Sequence, residues 1–445
     1  MRPAVSRIVT QAMTSPTRRR LVRAAAGVGR RLRGEATVVD YFHQADDPYS
    51  HLAAQVAGPL AKRYGVELRP WIVPPPDDAA APERARLAAY ARRDAARVAA
   101  EYGLEFPAGA PAPSLAAVAL AQRILVAAAR SRGFAEVAAD VGRSLWSDDQ
   151  RALASWEPVA AEPDETAIAV AAGGAERARR GHYLGAMFHF EGEWFWGVDR
   201  LHHLEARLAA MGRDGAPDTP PIAPYRDLQL PPAPANAAPA TIEMWFSFRS
   251  PYSWLAMPRV RRLAAHYGAT LELRYILPMV MRGLPVPPVK TRYIVLDAKR
   301  EADRCGLPFG RIVDPVGAGA ERALAVLHHA VPLGLGGAFA ELALRAAWSE
   351  GVALAEVAGL LDVARRAGLA DAQVAAALAD DSWREAAEEN RAALFEAGLW
   401  GAPTCRVNGG PAHWGQDRLW ALEEDLVRAQ AGALAAPSRA TRGVR

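Results

Sequence analysis

Two stretches of the chain open with the same alternation of apolar runs and helical periodicity. Val38 to Phe42 and Ile242 to Phe248 are short and β-prone, and each runs into a Pro-initiated segment with helical spacing. A second strand candidate follows in each, Glu67 to Val73 and Thr270 to Leu277. The pattern predicts a β-α-β opening, twice. Residues 83–181 and 290–397 are rich in Ala, Leu and Arg with few turn signals, which predicts mostly helix. Each stretch closes with a β-prone run, Met187 to Phe190 and Thr404 to Val407, and a last helix starting at Asp199 or Asp417. Strands alternating with helices imply an α/β layered fold, with the helical block as an insertion inside it.

The likeness extends to residue identities. Pro48-Tyr49-Ser50 recurs as Pro251-Tyr252-Ser253 and Leu52-Ala53 as Leu255-Ala256, both displaced by 203 positions. The same displacement carries Tyr64-Gly65, Tyr90, Asp94, Arg97 and Gly103-Leu104 onto Tyr267-Gly268, Tyr293, Asp297, Arg300 and Gly306-Leu307. Trp196-Gly197-x-Asp199-Arg200-Leu201 returns as Trp414-Gly415-x-Asp417-Arg418-Leu419, displaced by 218. A constant offset over so many positions reads as an internal repeat. Between the copies, residues 212–240 hold eight prolines, a composition that suits a semi-rigid linker. The reading therefore divides the chain into a basic arm (1–35), a first domain (36–211), the linker (212–240), a second domain (241–430) and a flexible tail (431–445).

At 445 residues the chain is too long for one core, and 51% hydrophobic with 23% charged residues is ordinary for globular proteins. The net charge of +4 is unevenly placed, because residues 1–34 hold nine Arg and no acid. The remainder is acidic, so the balance gives no argument for nucleic acid. The arm reads either as a solvated flexible extension or as a cationic helix over Arg18 to Arg33 that touches anionic lipid or the protein's own acidic body. Cys305 and Cys405 form neither a CxxC pair nor a metal set, which fits a reducing, cytoplasmic setting. The adjacent pairs His202-His203 and His328-His329 point in different directions on a helix and carry no metal-site pattern.

Ser250 stands where a strand gives way to a helix, with Pro251 at the first helical position. Ser there caps open backbone N–H groups. The same helix end also stabilises a thiolate placed beside it. Ser250-Pro251-Tyr252-Ser253, then Gly401-Ala402-Pro403-Thr404 before a late strand, then Trp414-Gly415-Gln416-Asp417-Arg418-Leu419, resemble the DsbA-like branch of the thioredoxin superfamily. Within it the pattern is similar to 2-hydroxychromene-2-carboxylate isomerases and kappa-class glutathione transferases, over residues 241–427 and more weakly over 36–210.

The resemblance implies two tandem thioredoxin-like domains, each with an inserted helical subdomain, and a glutathione-dependent isomerase or transferase acting on a small molecule. It implies that Ser250 hydrogen-bonds the glutathione sulfur and lowers its pKa, replacing the redox CxxC. It also implies that Pro403 is a cis-proline facing Ser250, that Ala402 offers backbone hydrogen bonds, and that Pro251 and Tyr252 adjoin the cofactor. Gln416 and Asp417 match the positions that hold its γ-glutamyl end. Pro285 stands where the family often has Asn. In the first copy Asp47 replaces Ser250, and Met187, in Gly185-Ala186-Met187, replaces the late proline. A fixed carboxylate repels a thiolate, so that copy reads as degenerate. Two alternatives remain: a thiol-disulfide oxidoreductase using Cys405 or Cys305, and a non-catalytic tandem binding module. Lys290, Tyr293, Asp297 and Arg300 share one helix face, as a solvated ion-pair stripe or as a binding face for a substrate carboxylate. Two such domains in one chain can mimic a dimer, which predicts a monomer.

Overall fold

The computed structural model describes residues 3–432; the last residues of the expected tail, from 433 on, lie outside the described residues. The chain forms two compact units. The N-terminal unit comprises Arg20–Tyr225 with Pro287–Tyr293; the C-terminal unit comprises the residues up to Arg19, Arg226–Val286 and the chain from Ile294 onward.

The N-terminal unit is built on a sheet of β1 (Val38–His43), β2 (Glu67–Ile72), β3 (Met187–Phe190) and β4 (Glu193–Trp196), in the order β2-β1-β3-β4. The C-terminal unit repeats this plan with β5 (Thr241–Phe246), β6 (Thr270–Tyr275), β7 (Thr404–Val407) and β8 (His413–Trp414), in the order β6-β5-β7-β8. In each sheet the first two strands are parallel and the others join antiparallel. Even the register repeats: Val38 pairs with Glu67, and Thr241 with Thr270. The strands β4 and β8 were not expected from sequence. They are too short and too rich in Trp and His to show a period. The last helices start at Leu201 and Leu419 rather than at Asp199 and Asp417, which lie in preceding 3₁₀ turns.

Helices Pro48–Tyr64 and Pro251–Tyr267 cross from the first strand of each sheet to the second. Each has a polar N-cap, Asp47 or Ser250, a proline at the first position, and a glycine at its end, Gly65 (φ 57°) or Gly268 (φ 62°). Ile242, Met244 and Phe246 on one face of β5 pack with Leu255, Val260 and Leu263 of the crossing helix and with Leu422 and Leu426. Trp245 on the other face is buried too, its indole N–H donating to the carbonyl of Asn390 (2.8 Å). Helices cover both faces, so β5 reads as mostly apolar, interrupted only by Glu243, which pairs with Arg274 and Arg406. Each such side chain withdrawn from water contributes about 1.5–3 kcal/mol.

Two expectations need correcting here. The basic arm is not a solvated extension: it forms helices Pro3–Met13 and Pro16–Leu32. Ser6 Oγ donates to Ile312 O (3.0 Å) and Arg7 Nε to Gly351 O (2.6 Å), which ties the first helix to the C-terminal unit. Second, Asp297 and Arg300 are not a solvated stripe: both are buried and paired (2.9 Å), while Lys290 belongs to the N-terminal unit, where its ammonium donates to Ala80 O (2.8 Å). Among the described residues no helix is long and apolar enough to cross a membrane.

Candidate active site of the C-terminal unit

The site assembles where β5 ends, helix Pro251–Tyr267 begins and the loop before β7 returns. Ser250 adopts extended backbone angles (φ −100°, ψ 114°) as the N-cap. Its hydroxyl accepts the Ser253 N–H (3.2 Å) and donates to the carbonyl of Ala402 (3.1 Å). The Ala402–Pro403 peptide bond is cis. Ser250 and Ala402 are partly exposed, whereas Pro251, Ser253, Gly401 and Pro403 are buried. A hydroxyl, an accessible peptide and the positive end of a 17-residue helix thus meet at one spot, a donor set suited to an anion such as a thiolate.

The surrounding loop is held firmly. Thr404 Oγ1 donates to Gly401 O (2.9 Å), and the Gly415 N–H donates to Pro403 O (2.9 Å). Gly401 lies flat against the Trp414 indole, where a Cβ would overlap the ring; Trp414 in turn meets Trp400 edge-on at 4.9 Å between ring centres. The buried Ser253 hydroxyl accepts the Ser247 N–H (3.3 Å), fastening the strand exit to the helix.

The remaining residues proposed from sequence fall differently. The Tyr252 hydroxyl donates to Asp297 (2.8 Å), a carboxylate only 1% exposed that also accepts from Arg300. It therefore serves the fold, and only its ring is left to line the site. Gln416 does not face a cofactor. It is buried, its amide N–H donates to Glu301 (2.8 Å) and its amide oxygen accepts from Arg259 (2.7 Å), so both ends are taken. Asp417, its neighbour, is partly exposed and follows Gly415 (φ 118°), whose missing Cβ leaves room for the Asp417 carboxylate. Pro285 is exposed.

Sequence reasoning missed Arg282. In a short turn after β6, its Nη2 donates to the carbonyl of Trp400 (3.1 Å), two residues before Ala402. Burial brings its pKa down to about 10, its Nε has no hydrogen-bond partner, and among the described residues no carboxylate pairs with it. The unusual signal was a lone Arg in a run of Pro, Met and Val after the second strand. Cys405 sits in β7 with its thiol buried and its pKa pushed up to about 12; burial also raises Cys305. Neither lies at the helix end where a reactive thiolate would be stabilised.

The N-terminal unit has other chemistry at the matching place. Asp47 accepts from the N–H groups of Tyr49 (3.3 Å) and Ser50 (3.0 Å) and from the Ser50 hydroxyl (2.7 Å). Desolvation outweighs these bonds and lifts its pKa to about 6. Met187 does not occupy the place of the late proline. It pairs with Phe42 and Trp196 as Thr404 pairs with Trp245 and Trp414, so strand register sets Met187 against Thr404 and Ala186 against Pro403. The carbonyl bonds agree, since the Gly197 N–H donates to Ala186 O (2.7 Å). The motif alignment was one residue out because the two loops differ in backbone: Ala186 has φ 53°.

Residues 241–427 match the family model of the DSBA-like thioredoxin domain. A 2-hydroxychromene-2-carboxylate isomerase from Pseudomonas putida is 28% identical over 197 residues, 42% of this chain and 94% of the relative. A second, from Pseudomonas sp. (strain C18), is 26% identical over 41% of this chain and 88% of its own length. Among solved structures, a selenomethionine 2-hydroxychromene-2-carboxylate isomerase shares 25% identity over 44% of this chain and all of its own, with a TM-score of 0.38. The cytosolic disulfide reductase DsbM from Pseudomonas aeruginosa, solved with GSH, shares 19% over 43% of this chain and 98% of its own, TM-score 0.32. Residues 241–427 thus form a DSBA-like thioredoxin domain homologous to 2-hydroxychromene-2-carboxylate isomerase.

Proposed function

We propose that the C-terminal unit is a glutathione-dependent isomerase or transferase for a small conjugated substrate bearing a carboxylate. The observation that carries this reading is the Ser250 hydroxyl, cap of a long helix and 3.1 Å from the Ala402 carbonyl, at a site with no cysteine of its own. The residues fit glutathione in chemistry. Ser250 and the helix end suit its sulfur, the Ala402 peptide its cysteinyl backbone, and Asp417 its ammonium. Gln416 takes no part. When bound, glutathione supplies the nucleophilic thiol that the polypeptide lacks here.

The protein's own contribution is positioning and electrostatics. Rotation about the Ser250 Cβ–Oγ bond redirects its proton from the Ala402 carbonyl to an incoming anion, and hydrogen bonding plus the helix end hold that anion in its charged form at neutral pH. Arg282, without a carboxylate partner, is suited to fix a substrate carboxylate near the same loop. Calorimetric titration of the wild type with glutathione tests the reading: binding in the micromolar to millimolar range supports it, and no heat of binding overturns it. Arg282→Met should raise KM for a carboxylate substrate roughly 10–100-fold while leaving glutathione affinity unchanged. The buried thiol of Cys405, its pKa pushed up to about 12, and the raised pKa of the half-buried Cys305 speak against a thiol-disulfide reaction.

A further inference from the structure

The first two helices are turned inside out. In helix Pro3–Met13 the polar side chains face the protein: Ser6 and Arg7 donate to Ile312 O and Gly351 O, Thr10 Oγ1 accepts the Ile312 N–H (3.0 Å), and Thr14, just past the end, donates to Gly310 O (3.4 Å). Val5, Ile8 and Val9, spaced to share one face, point into solvent at 47, 69 and 49% exposure. Helix Pro16–Leu32 follows the same rule. Its inward stripe is charged, Arg23 holding Glu193 (2.6 Å) and Arg30 holding Glu191 (2.9 Å). Its outward stripe, Leu21, Ala25, Val28 and Leu32, is apolar, with Leu21 66% and Leu32 83% exposed.

Seven of the fourteen strongly exposed large aliphatics among the described residues fall between Val5 and Leu32. Such a concentration is not the scatter that any protein surface shows. In water alone, the hydrophobic effect would favour the opposite rotation of both helices.

We propose that helix Pro16–Leu32 lies on an anionic lipid surface, aliphatic face down. Charge selects this partner: residues 1–34 contain no acid, and the exposed guanidinium groups of Arg18 and Arg31, at either end of the aliphatic stripe, have no acidic partner among the described residues. A helix with aliphatic side chains on its outer face and arginines at the margins binds the headgroup boundary by burial and by attraction to anionic lipid together. The arrangement is peripheral, and it does not depend on the reaction proposed for Ser250.

Flotation of the full-length protein with phosphatidylcholine vesicles, with and without phosphatidylglycerol, tests this. Expected is binding at least about tenfold stronger to the anionic vesicles, weakening as salt is raised. The triple variant Leu21→Ser, Val28→Ser, Leu32→Ser should lose it while keeping the wild-type circular dichroism and melting temperature. If that variant does not fold, Arg18→Gln with Arg31→Gln serves instead and should reduce the preference for anionic vesicles several-fold. Equal partition of the wild type to both vesicles, or to neither, overturns the proposal. A concentration-dependent dimer in sedimentation that dissolves in the Ser variant also overturns it, since a second copy then covers the face.

Discussion

The two units share their sheet order, strand register and helix-capping geometry, yet differ at the one place where chemistry would occur. Shared most closely are contacts that hold the backbone. The Tyr49 hydroxyl donates to Asp94 (2.7 Å) as Tyr252 does to Asp297, and the Ser50 hydroxyl accepts the Gln44 N–H (3.2 Å) as Ser253 accepts that of Ser247. The caps diverge, a half-desolvated carboxylate in one and a hydroxyl in the other. Ala186 and Pro403 diverge as well. The fold demands the first set of contacts and tolerates change in the second, so in the C-terminal unit Ser250 and Pro403 are the positions where a functional demand is most readily seen.

The largest effect expected is structural. Asp297→Ala strips the buried Arg300 and the Tyr252 hydroxyl of their acceptor and should cost about 3–5 kcal/mol in urea denaturation. Lost activity at unchanged stability would instead move Tyr252 and Asp297 into the functional site and break the comparison. Next comes Ser250→Ala, which removes a charge-assisted bond as well as a cap. Glutathione binding should fall by roughly 10–100-fold in calorimetry, with about 1 kcal/mol lost from stability. Asp47→Ser, by contrast, should confer no second binding event, because Ala186 stands where Pro403 does.

A third prediction concerns acid. Burial depresses His43 to about 3 and His51 to about 4, while Asp47 is raised to about 6. Between pH 6 and 4 the unfolded chain binds two more protons at the histidines than the folded one does, so stability falls as pH falls. Asp47 acts oppositely, because its folded carboxyl holds a proton that the unfolded one lacks. The two histidines outweigh the one carboxyl, so together these groups make stability fall as pH falls, and Asp47→Asn should steepen that fall. Denaturation of the variant and wild type across this range checks the sign; equal slopes would mean that Asp47 is ionised in the fold. The smallest effect is at Cys405. Cys405→Ala should cost about 1 kcal/mol and leave activity unchanged in a turnover assay, since the thiol is never presented to solvent.

Much of this was legible in sequence because Ser250-Pro251 and Gly401-Ala402-Pro403 carry their geometry in their residue types: a hydroxyl cap, a ring that fixes φ, and a glycine that clears an indole. The first strands were legible because burial on both faces leaves a mostly apolar stretch, interrupted only near its middle by an acid, Asp40 or Glu243. The strands β4 and β8 were not, being short stretches of aromatic residues whose pairing is set by β3 and β7 rather than by their own period. Gln416 was misjudged because a motif shows which residue stands at a position but not which way it turns; Glu301 and Arg259, far off in sequence, decide that. Arg282 escaped notice because an unpaired cation becomes visible only when its surroundings are known.

The buried inner serine sets a limit on redesign. Replacing Ser250 by cysteine would put a thiol at a ready-made anion site, but the matching change at Ser253 would trade a compact oxygen acceptor for a larger, weaker sulfur with no room around it. Engineering a dithiol here would therefore install a nucleophile at once and a resolving partner only after the strand exit had been rebuilt.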